Sequence, residues 1–239
     1  MNITNIMDVV IVFLILIFGL TGYHRGVFKQ LVTTVGFVLV VVIAFYLKNP
    51  IAEFLSLHLP FFKFGGMFSN ITSLNIILYQ IISFILVIIV LEAVLNVLIK
   101  VSGIIEKILK FTIVLGLPSK ILGFIVGLME GFVITFLLLF FLKQPAFNLE
   151  LFNGSKLTNK ILNSTPILSQ IASSFTNTIN DIYALGEHYN NTDNSNEFNK
   201  EAIDVMLKHK IITTSYVEKL VEAEKIEISG IDEIINKYK

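Results

Sequence analysis

The sequence predicts an all-α integral membrane protein: a four-span transmembrane helical bundle with an amphipathic interfacial helix and a small helical C-terminal tail. Three observations carry this. Residues 1–142 fall into four apolar blocks, each reaching or approaching the roughly 20 residues that a helix needs to cross a bilayer core. Only 15% of the 239 residues are charged and the mean hydropathy is +0.78, whereas a soluble domain carries about 25% charged residues. The charge is also divided unevenly, with 8 Lys+Arg and 5 Asp+Glu in residues 1–142 and 10 and 13 in residues 143–239. The two parts of the chain are built for different solvents.

The first block runs from about Ile6 to Tyr23. Asp8 precedes its apolar core and His24-Arg25 follow it. A secretory signal has the opposite arrangement, with positive charge first and a small-residue cleavage site after. The block therefore reads as an uncleaved spanning helix. Gly22-Tyr-His-Arg-Gly26 makes a tight basic turn, and Leu31–Leu47 forms the second block, bounded by Lys48-Asn49-Pro50. Residues 51–68 mix Glu53, His58, Pro60 and Lys63 with phenylalanines, a composition suited to the headgroup layer. Ile76–Ile99 is the third block. In Lys100–Lys110 the apolar residues Val101, Ile104, Ile105, Ile108 and Leu109 recur at helical spacing, the pattern of a helix lying in the interface. Leu117–Leu142 is the fourth block, ended by Lys143-Gln-Pro145.

Basic residues set the expected topology. Arg25 and Lys29 follow the first block, and Lys100, Lys107, Lys110 and Lys120 follow the third. With four spans these six share a side, and the positive-inside bias makes that side cytoplasmic. Both termini are then extracytoplasmic. The expected division is a membrane domain over 1–142 and a polar helical tail over 143–239, with a linker at about 186–197. In the tail, Thr165-Pro166 reads as N-cap and first helical residue, and Ser215 with Glu218 has capping-box spacing; Ser229 with Asp232 is a looser version. The segments 202–210, 216–224 and 231–238 read as short helices, too few for an independent core. Their apolar residues Ile203, Met206, Val217, Leu220, Ile231 and Ile234 are expected to dock on the rest of the tail or on a partner, as a dispensable accessory.

Three groups of residues are candidates for function. Gly123, Gly127 and Gly131 recur every four residues in the fourth block. Small-residue stripes admit a second helix closely, either within the bundle or as a pore or oligomer seam; Gly36 belongs to the same packing set. Gly22, Arg25 and Gly26 form the loop motif, a hinge, a partner site or only a backbone turn. Glu92, Asn96 and Glu130 are intramembrane polar residues. Such groups are costly in lipid and mark ion or proton paths when several line up; the alternatives are a carboxyl bonded to a neighbouring helix, or a re-entrant Leu117–Glu130 that leaves Glu130 shallow.

Other chemistry is not indicated. The chain has no cysteine and no His pair at metal-ligand spacing, so no metal or cofactor is expected. Nucleotide-binding glycine loops, a zinc-protease helix and a nucleophile elbow are missing from the sequence. Neither half is basic enough for nucleic acid.

The pattern resembles the colicin V production protein family. The resemblance rests on Asp8 opening a short first helix, Gly22-Tyr-His-Arg-Gly26-Val-Phe-Lys-Gln-Leu31, Gly36, and Leu122-Gly123-Phe-Ile-Val-Gly127-Leu-Met-Glu-Gly131, and covers about residues 1–142. The family often has Asp-Arg where Ser119-Lys120 stand here, and a basic residue where Glu130 stands. The resemblance implies a bacterial multi-pass inner-membrane protein supporting toxin production or export, or envelope homeostasis. It would act through partners: the bilayer itself, other membrane or envelope proteins, or a second copy. The rival expectation is a small channel or transporter using Glu92, Asn96 and Glu130. Some relatives carry a trypsin-like protease after the same membrane unit; the tail here is too short for one.

Overall fold

The structure, a computed structural model, describes residues 3–64, 71–101, 104–143, 155–163, 166–189 and 194–239, with side chains described for these except 3–5, 104–115 and 166–174. Among the described residues the regular structure is helical throughout. Four long helices, α1 (Ile3–Arg25), α2 (Val27–His58), α3 (Leu74–Val101) and α4 (Ile104–Leu142), precede five shorter ones: α5 (Lys156–Asn163), α6 (Pro166–Tyr189), α7 (Ser195–Lys208), α8 (Thr214–Glu222) and α9 (Ile231–Lys237). Each long helix contains a segment long and apolar enough to cross a membrane. A helix satisfies its own backbone hydrogen bonds, which lipid cannot do, so uninterrupted aliphatic sequence in this setting becomes helix.

The boundaries differ from the sequence expectation at instructive places. Arg25 still belongs to α1, so the Gly22–Gly26 turn contracts to Gly26 alone, at φ +76°. α2 does not stop at Lys48-Asn49-Pro50 but runs through Pro50 to His58. A mid-helix proline costs about 3 kcal/mol, and the residues beyond it gain burial in return: Ala52 and Ser56 are fully buried. The first part of 51–68 thus continues α2 as helix, and 65–70 lie outside the described residues. Lys48, expected in a loop, is buried, its Nζ donating to Asn49 Oδ1 (2.8 Å) and Gln80 Oε1 (2.9 Å).

α4 is two helices meeting at Gly116, whose φ of 52° and ψ of −126° are open to glycine and strained for other residues. The shorter piece carries most of the expected interfacial segment; the face it presents lies outside the described side chains. Beyond Gly116 the helix continues unbroken to Leu142, which leaves no re-entrant turn before Glu130.

The chain forms two compact units. One comprises Met1–Ile43 and Ile88–Ser169, the other Ala44–Val87 and Gln170–Lys239. The first has the character of a lipid-solvated bundle, with Val9, Phe13, Leu39, Ile89, Val97 and Met129 all more than half exposed. The second has a core of the water-soluble kind. Ile71, Ile76 and Ile77 pack in one cluster with Ile182, Phe198, Ile203, Met206, Val217, Leu220, Ile226 and Ile231.

Polar contacts tie the tail to the end of α2 and to the α2–α3 connection within that unit. Tyr216 Oη donates to Ser56 Oγ (2.8 Å), and burial raises the phenol pKa, so it remains a donor at neutral pH. Asn199 Oδ1 accepts from the Ser73 amide (2.9 Å), Lys225 Nζ donates to the Leu59 carbonyl (3.1 Å), and Lys219 pairs with Glu53.

The apolar tail residues therefore dock on residues from the end of α2, the α2–α3 connection and the start of α3, as well as on one another. α6 extends to Tyr189 because Leu185 and Tyr189 pack against the same core. Helix also resumes at Ser195, which shortens the expected 186–197 linker; residues 190–193 lie outside the described ones. Pro166 opens α6 as expected, and Thr165 lies outside the described residues. The other caps fall one or two residues from their expected places. Thr213, not Ser215, caps α8 by accepting from the Tyr216 amide, and the N-cap position of α9 is Gly230 with φ +76°, not Ser229.

Ile203→Ala and Leu220→Ala should each cost about 2–5 kcal/mol, the range for truncating a fully buried aliphatic side chain. Truncation after residue 195 should lower the thermal unfolding midpoint of the detergent-purified protein further still. An unchanged midpoint for the truncated chain would show that this core contributes nothing to the stability of the protein.

Candidate functional site

In the first unit α1 and α4 meet backbone to backbone. A Cβ added at Gly22 would lie closer than 3.0 Å to the Gly123 carbonyl oxygen, one at Gly123 equally close to the Gly22 carbonyl, and one at Gly127 equally close to the Phe18 carbonyl. At Gly131 it would meet Phe18 Cβ at 2.8 Å. The glycine stripe of α4 thus packs inside the chain, on α1. Gly22 is one of its partners as well as part of the loop motif, and Gly19, whose Cβ would meet Leu128 Cδ2 at 2.7 Å, is a partner that the sequence reading missed. The spacing Gly19-x-x-Gly22, small residues on one helical face, was the available signal. Gly36 is different in kind: its Cβ would meet the end of the Leu95 side chain at 2.6 Å, which can rotate away.

The start of α2 is held from α4. Once Gly26 has reversed the chain, the Val27 amide donates to Ser119 Oγ (3.2 Å), and Ser119 is fully buried. The first amides of a helix have no partner of their own, so Ser119 works as an N-cap supplied by another helix. Beside it Lys120 Nζ sits 5.8 Å from the centre of the Tyr23 ring, within cation–π range. Arg25 is the last residue of α1.

About one turn into α2 lies Gln30, whose carboxamide is bonded to Glu130. Glu130, mostly buried in α4, accepts through Oε2 from Gln30 Nε2 and from Thr34 Oγ1 (2.8 Å). Gln30 and Thr34 are four residues apart and so share a face of α2. This i, i+4 polar pair at the opening of an apolar block was legible and passed over. Glu92 and Asn96 do something else. The Asn96 carboxamide donates to the Glu92 carbonyl (2.8 Å) and, at 3.4 Å, to Glu92 Oε1, a local arrangement along α3. Among the described residues no hydrogen bond joins this pair to Glu130.

The ends of the unit are latched by Asp8. Its Oδ1 accepts from Ser155 Oγ (2.5 Å) and from the Leu157 amide (3.3 Å), while Ser155 Oγ accepts from the Thr158 amide (3.0 Å). Ser155 thereby caps α5, and a carboxylate placed at a helix N-terminus is favourable. Among the described residues no cluster of three or more His, Cys, Asp or Glu could hold a metal.

These features define a polytopic helical membrane protein whose first, second and fourth long helices are joined by a glycine seam, a trans-helix cap and a buried carboxylate. The family model described as "Colicin V production protein" matches residues 7–166, about two thirds of the chain, and the chain belongs to that family. No curated protein and no solved structure matches it. The match extends past residue 142, where the motifs end, and takes in α5, which holds Asp8. A short polar helix carries no apolar signal, so the sequence motifs did not reach it.

Gly123→Ala and Gly127→Ala should each destabilise by about 1–3 kcal/mol, the usual cost of overpacking, because the obstructing atoms are backbone. Gly36→Ala should cost less, since only Leu95 has to move. Thermal unfolding in detergent checks the ranking, and equal effects at all three positions would remove the distinction between backbone and side-chain contact.

Proposed function

We propose that this protein is a non-enzymatic factor of the bacterial inner membrane that supports toxin production or export, or envelope homeostasis, by binding other membrane or envelope proteins. Its family membership supports the setting. The observation that carries the non-enzymatic part is the destination of the polar groups in the family-matched region. Asp8 holds α5, Ser119 caps α2 and Glu130 bonds α2, so each is used to join helices.

We place both termini outside the cytoplasm. The six basic residues of the first and third connections favour this, while the shared core of the tail and the α2–α3 connection bears only on their lying on one side together. With four spans those two segments fall on one side of the membrane, and a shared core requires that. The channel reading has the buried Glu130 in its favour, but Glu92 and Asn96 do not join it. Ion flux from purified protein in liposomes would support the channel instead.

Since the chain has no cysteine, single substitutions report topology cleanly. Lys239→Cys should react with a membrane-impermeant maleimide in intact cells, and Lys120→Cys only after permeabilisation; the reverse pattern overturns the orientation. For the function, cross-linking in native membranes should capture envelope proteins in amounts that fall when Gly127→Leu disrupts the seam. A deletion strain should regain toxin release or envelope integrity with the wild-type chain. If neither phenotype responds, the proposed role is wrong.

A further inference from the structure

Glu130 places a formal negative charge inside a spanning helix, and among the described residues it has hydrogen-bond donors but no positively charged partner. Its partners are a carboxamide and a hydroxyl. It is 8% exposed, and none of the ion pairs among the described residues includes it. Burying a carboxylate without neutralisation is costly in protein and more so in lipid. A second observation comes from the neighbouring residue. Gln30 is 1% exposed, and its Oε1 is buried with no hydrogen-bond partner. That oxygen belongs to the same carboxamide whose nitrogen touches Glu130, so it lies within a few ångströms of the carboxylate. The carboxamide now turns its Nε2 to the carboxylate and to Thr34 Oγ1 (3.3 Å); turned over, it would bring its unpartnered oxygen to the same place, and a cation there would satisfy both that oxygen and the uncompensated carboxylate.

We propose that Gln30, Thr34 and Glu130 form a binding site for one small monovalent cation of the alkali type. The ligands are the Glu130 carboxylate, the Thr34 hydroxyl oxygen and the Gln30 carboxamide oxygen. Hard oxygen donors suit hard cations. A single carboxylate balances a single positive charge, which favours a monovalent ion over calcium or magnesium. Half a turn of the Gln30 carboxamide about its terminal torsion exchanges Nε2 for Oε1, so the side chain can donate to the empty carboxylate and coordinate the filled one. Gln30 and Thr34 stand one turn apart on α2, opposite Glu130 on α4, so a bound ion would bridge the two helices. The inference does not depend on the biological role proposed above.

The test is thermal unfolding of the full-length protein in detergent at constant pH and ionic strength, with choline chloride exchanged stepwise for sodium or potassium chloride. The midpoint should rise and saturate with sodium or potassium, since a ligand bound only to the folded state stabilises it. Glu130→Gln should abolish the response. Thr34→Val should weaken the apparent affinity about tenfold, as expected for loss of one ligand worth about 1.4 kcal/mol, and Thr34→Ser should restore it, which keeps the test decisive if Glu130→Gln fails to fold. Three results would overturn the proposal: a midpoint indifferent to the cation, a response that survives Glu130→Gln, or a midpoint that follows pH but not sodium or potassium. The last would assign the site to a proton.

Discussion

The α1–α4 contact is the constraint on which the first unit depends. Lipid tails are as apolar as leucine side chains, so two helices in a bilayer gain little by hiding apolar surface from solvent, and association rests on close packing. Here the closeness is extreme, because Gly22 and Gly123 each leave no room for a Cβ beside the other's carbonyl. The rest of the unit takes its geometry from that approach. With the end of α1 pressed against the start of the long segment of α4, Gly26 can reverse the chain where Ser119 is available to receive the Val27 amide. The same register brings the polar face of α2 to Glu130.

The second unit obeys different physics. Its core of isoleucine, leucine, valine and aromatic residues gathers from two segments distant in sequence, and its stability comes from apolar area removed from water. α2 and α3 contribute to both units, and their sequences record the change. Along α2 the run of valines and isoleucines gives way to Lys48, Pro50, Glu53 and Ser56, residues that a lipid-facing helix would not carry. Pro50 is tolerated because the turns after it have a core to join.

Polar side chains in this protein act mainly as connectors between segments distant in sequence. Asp8 and Ser155, Val27 and Ser119, Gln30 and Glu130, and Ser56 and Tyr216 each bridge about 90 residues or more. Hydrogen bonds fix direction, which apolar contacts do not. In a bundle of near-uniform aliphatic surface, these few bonds and the glycine seam are what distinguish one register from its neighbours.

How much of this the sequence determined follows from the range of each effect. The existence and order of the four long helices, the all-α class and the family motifs were legible, because hydrophobic length and glycine spacing are local and cumulative along the chain. Helix ends were less so: Pro50 and the caps at Thr213 and Gly230 were settled by which neighbouring surface each turn could bury. The packing role of Gly123, Gly127 and Gly131 could be read as a possibility, but the helix they face could not, since a small-residue stripe states that something comes close and not what. Gln30, Thr34 and Ser119 became part of the site only through partners some 90 to 100 positions away. The tail likewise looked like an accessory because its helices were too short to stand alone, and only the tertiary structure could show that residues 71–77 complete its core. Periodicity specifies which face of an element is apolar; the choice of the surface that covers it is a property of the whole fold.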